Sequence, residues 1–503
     1  MQRLVEQSKK ITDFIKSLFK NKVFYLYLAL FLIILASSFN SFFILLSIFI
    51  IVYAVIFLNF ENSLSMLLFL FPFKLLTARI FDYLFAFAML VYWVKFIIKS
   101  IKIKEFKKIY TVYFITVAIF IIYLVLPIHK SFDAGFLSSF SLNNFLFCFN
   151  LFLALFLFAV NLKELKFLKL FRILFIGFVI SNIVAVICLV VPSMQTNFVI
   201  LKRYELIRFP GLFIHPNRLS TMSIILVVCL LYFYLLKKIG HIEFVLSFVL
   251  TCAVGYATLS RTFLYCFIIS FVIFVIVTIV KDKKQFYKKT LIVFSLFLAS
   301  TLIMFNYSKI LFNDLGISEI FFGYGNSVDN SYEDLLNGGD PGRGGLYKVF
   351  FLDLISSPIV FLFGRGMSHE PIIKSGLTSH NTYLQIAWKI GIVGVLLFIV
   401  IMLASIKLYT NISYKKFIKT AFSDIYLYLL LIPILAGIFV ENIFPAVELV
   451  VYLVIIISAV YEKESSVGQD NLINNKQTID VEIANENKWK YVKFKKLVYK
   501  YIS

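Results

Sequence analysis

The chain has 503 residues, of which 61% are hydrophobic and 15% charged, with a formal net charge of +22. An ordinary soluble domain is about half apolar and a quarter charged, so this composition excludes one and points to helices surrounded by lipid or by other helices. The positive charge suggests nucleic acid only if a basic stripe with interleaved aromatics lies on a soluble segment, and none does; lysines collected in cytoplasmic loops explain it instead.

Apolar stretches near the length of a membrane crossing recur along the whole chain. The predicted spans are 23–37, 42–58, 63–77, 82–98, 110–127, 142–160, 170–191, 219–236, 242–259, 262–280, 290–306, 382–407, 424–440 and 445–460. The third is short and holds Pro72 and Lys74, so a broken or re-entrant segment fits it as well as a full crossing, and the count is about 12–14. The expected fold is therefore an all-α polytopic membrane protein. The expected parts are a cytoplasmic N-terminus (1–22), a bundle over 23–306 with an outer loop at 192–218, a large extracytoplasmic loop (307–381), three late spans in 382–460 and a basic cytoplasmic tail (461–503). No cleavable signal pattern follows the first lysines, so the first span is expected to stay as an anchor.

Orientation follows from lysine. The segments 1–22, 99–109, 161–169, 237–241, 281–289, 407–423 and 461–503 are lysine-rich and alternate with lysine-poor loops, which places both termini in the cytoplasm. Within the large loop, residues 346–363 are apolar but interrupted by Lys348, Asp353 and Pro358, and predict a helix on the membrane surface or against the bundle. The tail 488–500 combines lysines with aromatics and suits an anionic leaflet as well as a solvated surface. The five cysteines all lie in apolar runs, which predicts no outer disulfide and no cysteine metal site.

Arginine does not follow lysine. On this topology 33 of 40 lysines are inside, but only Arg3 and Arg172 of nine arginines are. Arg79, Arg203, Arg208, Arg218, Arg261, Arg343 and Arg365 fall outside or at the outer boundary. Arginine presents a rigid fork that grips phosphate or carboxylate through two parallel hydrogen bonds, so an outward cluster suggests an anionic substrate. Pairing with loop acids is the plainer explanation for any one of them.

Three spans begin at the outer face with polar residues: Arg208 to Ser220 (containing His215, Asn217 and Arg218), Ser260-Arg261-Thr262, and Ser379-His380-Asn381-Thr382. A helix N-terminus carries unpaired N–H groups and partial positive charge, and so favours anions. Capping accounts for the small polar residues but not for Arg218, Arg261 and His380 beside them. A helix start also disfavours imidazolium, which would keep His380 neutral and able to take a proton. His215, His369 and His380 show no metal-ligand spacing, and no cofactor is expected.

His380-Asn381, nine residues, then Gly391-Ile-Val-Gly394 resembles the H-N-x9-G-x-x-G pattern of the O-antigen polymerase and O-antigen ligase superfamily. Arg343 within Gly-Arg-Gly-Gly-Leu-Tyr, Phe-Gly364-Arg365-Gly366, the Arg208–Ser220 stretch and Ser260-Arg261 look like further family features in family order, covering roughly 200–400. The resemblance implies a GT-C-like bundle with its large outer loop before a late helix, and a metal-independent inverting glycosyltransferase. It also implies donors and acceptors carried on undecaprenyl diphosphate, handled at the outer face of the cytoplasmic membrane. His380 and Arg261 would be catalytic; Arg203, Arg208, His215, Asn217, Arg218, Arg343, Arg365, His369 and Asn381 would bind diphosphate or glycan. Membrane lipid, and a flippase and chain-length regulator of the same pathway, would be the partners.

A polymerase of repeat units, for capsule, exopolysaccharide or O-antigen, is the first expectation. A ligase moving a finished glycan to a lipid or protein acceptor is the second. A flippase would spread its charges through the membrane depth, whereas here they gather at one face.

Overall fold

The computed structural model describes residues 22–37, 42–73, 80–103, 108–125, 142–161, 165–190, 201–203, 206–213, 216–281, 289–296, 298–299, 302, 342–366, 381–410, 428–429 and 432. Thirteen helices are delimited among them: α1 (Lys22–Ser37), α2 (Phe42–Phe57), α3 (Phe60–Leu70), α4 (Ile80–Ile103), α5 (Lys108–Val125), α6 (Leu142–Asn161), α7 (Phe167–Val190), α8 (Pro216–Leu235), α9 (His241–Ala257), α10 (Arg261–Lys281), α11 (Gly342–Ile355), α12 (Pro358–Phe363) and α13 (Thr382–Thr410). One short antiparallel hairpin, β1 (Leu201–Arg203) with β2 (Leu206–Arg208), precedes α8 and pairs Leu201 with Arg208.

Runs such as FFILLSIFIIVYAVIF in α2 are poor helix formers in water. They form helices here because a segment surrounded by hydrocarbon must satisfy its backbone groups within itself. Five helical stretches are long and apolar enough to cross a membrane among the described residues: Tyr83–Ile101, Phe167–Cys188, Pro216–Leu235, Arg261–Val280 and Thr382–Ile401. Shorter apolar helices surround them, and the architecture is that of an all-α membrane protein with one small hairpin. Most of the predicted span 424–440, the span 445–460, both predicted cytoplasmic ends (1–21 and 461–503) and, of the large loop, residues 307–341 and 367–380 lie outside the described residues.

The centre is α8. Apart from Asn217 and Arg218, every residue from Pro216 to Leu235 is buried, including Ser220, Thr221 and Ser223. It packs on α9 and α10, while α3 packs on α7, α4 on α6, and α13 on α5 and α6. Thr221 and Ser223 return their hydroxyls to the carbonyls of Asn217 and Leu219 on their own helix, which lets polar side chains sit in an apolar centre.

The helix ends sort by the lysine and arginine polarity of the sequence. Lys169 meets Glu61 at 3.1 Å, and Arg172 grips Glu243 with Nε and Nη2 at 2.7 and 2.8 Å. His241 meets the Tyr234 hydroxyl at 2.9 Å. All these ends were assigned to the lysine side. Phe71 against Phe213 and Tyr123 against Ile390 join ends assigned to the other.

The third predicted span is interrupted, as Pro72 suggests: α3 tightens into a 3-10 turn at Phe71–Phe73 and is buried along almost its whole length. At eleven residues α3 covers about 16 Å, too little to cross hydrocarbon alone. Span 382–407 departs from expectation more sharply. It is one continuous apolar run, yet Gly391 adopts φ 62° and ψ 178°, outside the helical region. The neighbouring Gly364 has φ 77° and ψ −178°. Both conformations are essentially confined to glycine. A Cβ on Gly391 would strike the Leu362 carbonyl, and one on Gly364 the Lys389 carbonyl, so the two backbones touch where neither has a side chain.

The break frees three carbonyls, and each has a donor. Arg365 N–H donates to Trp388 and Gly366 N–H to Lys389, both at 2.9 Å. The Tyr123 hydroxyl donates to Ile390 at 2.6 Å. Gly394 makes room for that tyrosine, since a Cβ there would meet its ring. Gly391→Val should therefore cost about 2 kcal/mol or more of stability, read as a lowered melting temperature of the detergent-solubilised protein. Ile392→Val, beside it, should melt near wild type; equal melting of both variants would contradict the break.

Candidate functional site

Arg208 ends β2 and reaches the start of α8 and the end of α9. Its Nε donates to the Thr258 carbonyl at 3.0 Å and its Nη2 to Asn217 Oδ1 at 2.7 Å. The next amide, Phe209 N–H, donates to the Ala257 carbonyl at 3.0 Å. The last carbonyls of α9 are thus met from the β2 side, and the turn Thr258-Leu259-Ser260 leads directly into Arg261, the first residue of α10. Leu259 has φ 50°, unusual for a branched side chain, so this turn is held under strain. Arg208 therefore ties the start of α8 to the turn between α9 and α10.

The start of α8 lies earlier than the hydropathy indicates. Pro216 opens it, a position where a missing N–H costs nothing. Arg218 consequently stands in the first turn rather than in the loop before it. It is half-buried and makes no hydrogen bond or ion pair with another described residue. Arg261, half-buried at the head of α10, is engaged within the protein.

The start of α13 is held by a different set of contacts. Asn381 Oδ1 accepts from the N–H groups of Tyr383 and Leu384, both at 3.0 Å, and so caps the helix. One turn on, the Trp388 indole donates to Asp353 Oδ2 at 2.7 Å. Arg365 closes on the same carboxylate, Nε to Oδ2 at 3.0 Å and Nη2 to Oδ1 at 2.6 Å. Leu346, Val349, Phe350, Leu354 and Trp388 form a small core of their own beneath this pair.

The eleven candidates thus divide. Arg208 and Asn217 hold one another, Asn381 caps, and Arg365 is paired with Asp353. For Asn381 and Arg365 these are the plainer explanations, capping and pairing with an acid of the large loop, while the Arg208–Asn217 bond is not indicated by the sequence. Arg218 and Arg261 stand in the first turns of α8 and α10, and Arg208 joins the first of these to the Thr258 turn that precedes the second. Arg203 lies in β1 and Arg343 in the first turn of α11, with side chains outside the described set. His215, His369 and His380 lie outside the described residues; His380 immediately precedes the capping Asn381 in the chain. Tyr123, Asp353, Thr258 and Trp388 were not anticipated, because their roles depend on partners 12 to 267 residues away.

Compared with protein-family models, curated proteins and solved structures, the chain matches none.

A guanidinium that satisfies a helix-end carbonyl should be felt in stability. Arg208→Ala should destabilise the solubilised protein by about 1–3 kcal/mol, because the Thr258 carbonyl loses its donor. Arg218→Ala should change it by no more than about 0.5 kcal/mol. Thermal melting of the two variants checks the division, and a larger loss for Arg218→Ala would reverse it.

Proposed function

We propose that the protein is a membrane glycosyltransferase that polymerises oligosaccharide units carried on undecaprenyl diphosphate, working at the arginine-bearing outer face of the cytoplasmic membrane. The observation that carries this reading is the Arg208 bridge, which joins the start of α8, where Arg218 stands, to the turn at Thr258 that leads into Arg261. Two helix N-termini with two guanidiniums form a receptor for a diphosphate. The helix-end contacts join ends expected on the same side, which supports a single working face; the reading keeps a bundle of 12–14 spans with both termini inside. The large loop and the His380-Asn381 start of α13 fit the GT-C-like arrangement that the motif resemblance implies.

The chemistry is a substitution at the anomeric carbon. An acceptor hydroxyl attacks opposite the diphosphate, its proton passes to neutral His380, and a new C–O bond forms as the bond to the diphosphate breaks. The departing oxygen gains charge, which Arg261 and Arg218 stabilise. Attack from the opposite side inverts the anomeric centre. No cofactor takes part in these steps.

Transfer of a finished glycan to a separate acceptor would use the same groups. The glycines of the motif do not separate the two reactions, since Gly391 and Gly394 serve the helix break and its tyrosine.

Purified protein in lipid nanodiscs, given undecaprenyl-diphosphate repeat units alone, should produce a ladder of lengthening glycans. Transfer only when a separate acceptor is added identifies a ligase. His380→Ala and Arg261→Ala should each slow the reaction at least about 100-fold. Activity near wild type in both variants would dispose of this site.

A further inference from the structure

Helix α11 is apolar on both of its faces. One face, with Leu346, Val349, Phe350 and Leu354, is buried against α13. The opposite face exposes Phe351, Leu352 and Ile355, and α12 continues it with Ile359, Phe361 and Leu362, each at least 38% exposed. A helix in a watery loop shows a polar outer face; one that is apolar all round is covered on both sides. Isolated exposed leucines need no explanation, but a continuous stripe over two consecutive helices does.

The position of the hairpin says what covers it. From Gly391 to Thr410 α13 has 20 residues, about 30 Å of helix, enough to cross the hydrocarbon by itself. A crossing by Gly391–Thr410 alone, in place of Thr382–Ile401, would put the break at one edge of the membrane and Thr382–Ile390 beyond it. Tyr123, which donates to the Ile390 carbonyl at this level, is two residues from the end of α5 at Val125. The α11–α12 hairpin is pinned to that same level by Arg365 and Gly366 on the carbonyls of Trp388 and Lys389. Both helices of the hairpin pack on α13, which itself exposes Leu396, Ile399, Val400 and Leu403. Lys348 is exposed on the same face as Phe351 and Leu352, one turn before them, where an ammonium can extend to lipid phosphates.

We propose that the α11–α12 hairpin is an interfacial wedge, its outer stripe seated among the acyl chains of the adjoining bilayer leaflet. The occupant is lipid: the hairpin packs on a helix long and apolar enough to cross a membrane, and the stripe's one cation stands at the headgroup end. The hairpin belongs to the membrane boundary and not to a soluble outer loop. Lipid contact fixes the level of the Gly364–Gly366 strip and hence of the start of α13. This inference does not depend on the glycosyltransferase reading.

Brominated lipids test it in the full-length protein. Leu352→Trp and Ile359→Trp add an indole at exposed positions, and Ile355→Trp replaces either one that fails to fold. In vesicles of phosphatidylcholine brominated midway along the acyl chain, the added emission should be largely lost compared with unbrominated vesicles. Aqueous acrylamide should scarcely reduce it. Loss to acrylamide without loss to bromolipid would show a hairpin in water and overturn the proposal. Indifference to both quenchers would overturn it equally, by showing the stripe covered by a second copy or by the chain itself.

Discussion

Where a helix is interrupted against packed apolar neighbours, water does not reach the freed backbone carbonyls and donors must be imported. The structure meets this constraint three times in the same way. Between α2 and α3, Tyr92 donates to the Leu58 carbonyl at 2.9 Å and Lys95 to Val55 at 2.9 Å, both from α4. After α9, Arg208 and Phe209 take the carbonyls of Thr258 and Ala257. At Gly391, the 364–366 strip and Tyr123 take those of Trp388, Lys389 and Ile390. Each repair comes from a distant segment, so each interruption also fixes how two parts of the bundle meet.

The second and third repairs lie on the arginine side, and the proposed chemistry depends on them. Arg208 acts as a brace: by closing the end of α9 it determines where Arg261 begins α10, and through Asn217 it determines where Arg218 stands on α8. The pair Arg365–Asp353 does the same for α13 through Trp388. Both ion-pair partners are partly buried, which makes removal of one more damaging than the pair is stabilising. Two of the outward arginines thus build the face, and the proposal places the ligand at Arg218 and Arg261, in the first turns of α8 and α10. Catalysis by charge stabilisation needs groups held in advance of the substrate, and braced helix starts provide that.

Much of this was legible in the sequence. Apolar runs located the helices closely, as 262–280 against Arg261–Lys281 shows, because lipid-facing length and composition leave little choice. The weakness of the third span was visible in Pro72. The start of α8 was placed three residues late, since hydropathy cannot see that Pro216 is suited to open a helix. The β1–β2 hairpin was missed because Tyr204-Glu205 between the strands carries no glycine or asparagine turn signal. Residues 346–363 form two helices, not one, divided at Ser356-Ser357. Gly391 was noticed as part of a motif, but a glycine in an apolar run reads as a small packing residue. Only its contact with Gly364 reveals a break. The division of the arginines was illegible for a general reason: a guanidinium's partner is set by tertiary neighbours, and nothing near Arg208 in the sequence points to the Thr258 carbonyl.

The proposed function requires Arg218 and Arg261 to bind one diphosphate. A double-mutant cycle on undecaprenyl diphosphate binding in nanodiscs tests it most directly. Arg218→Ala and Arg261→Ala should each weaken binding about tenfold or more, and the double variant should fall short of the product of the two losses, because both groups serve the same anion. Wild-type affinity in both single variants, or losses that multiply without coupling, would contradict a shared site.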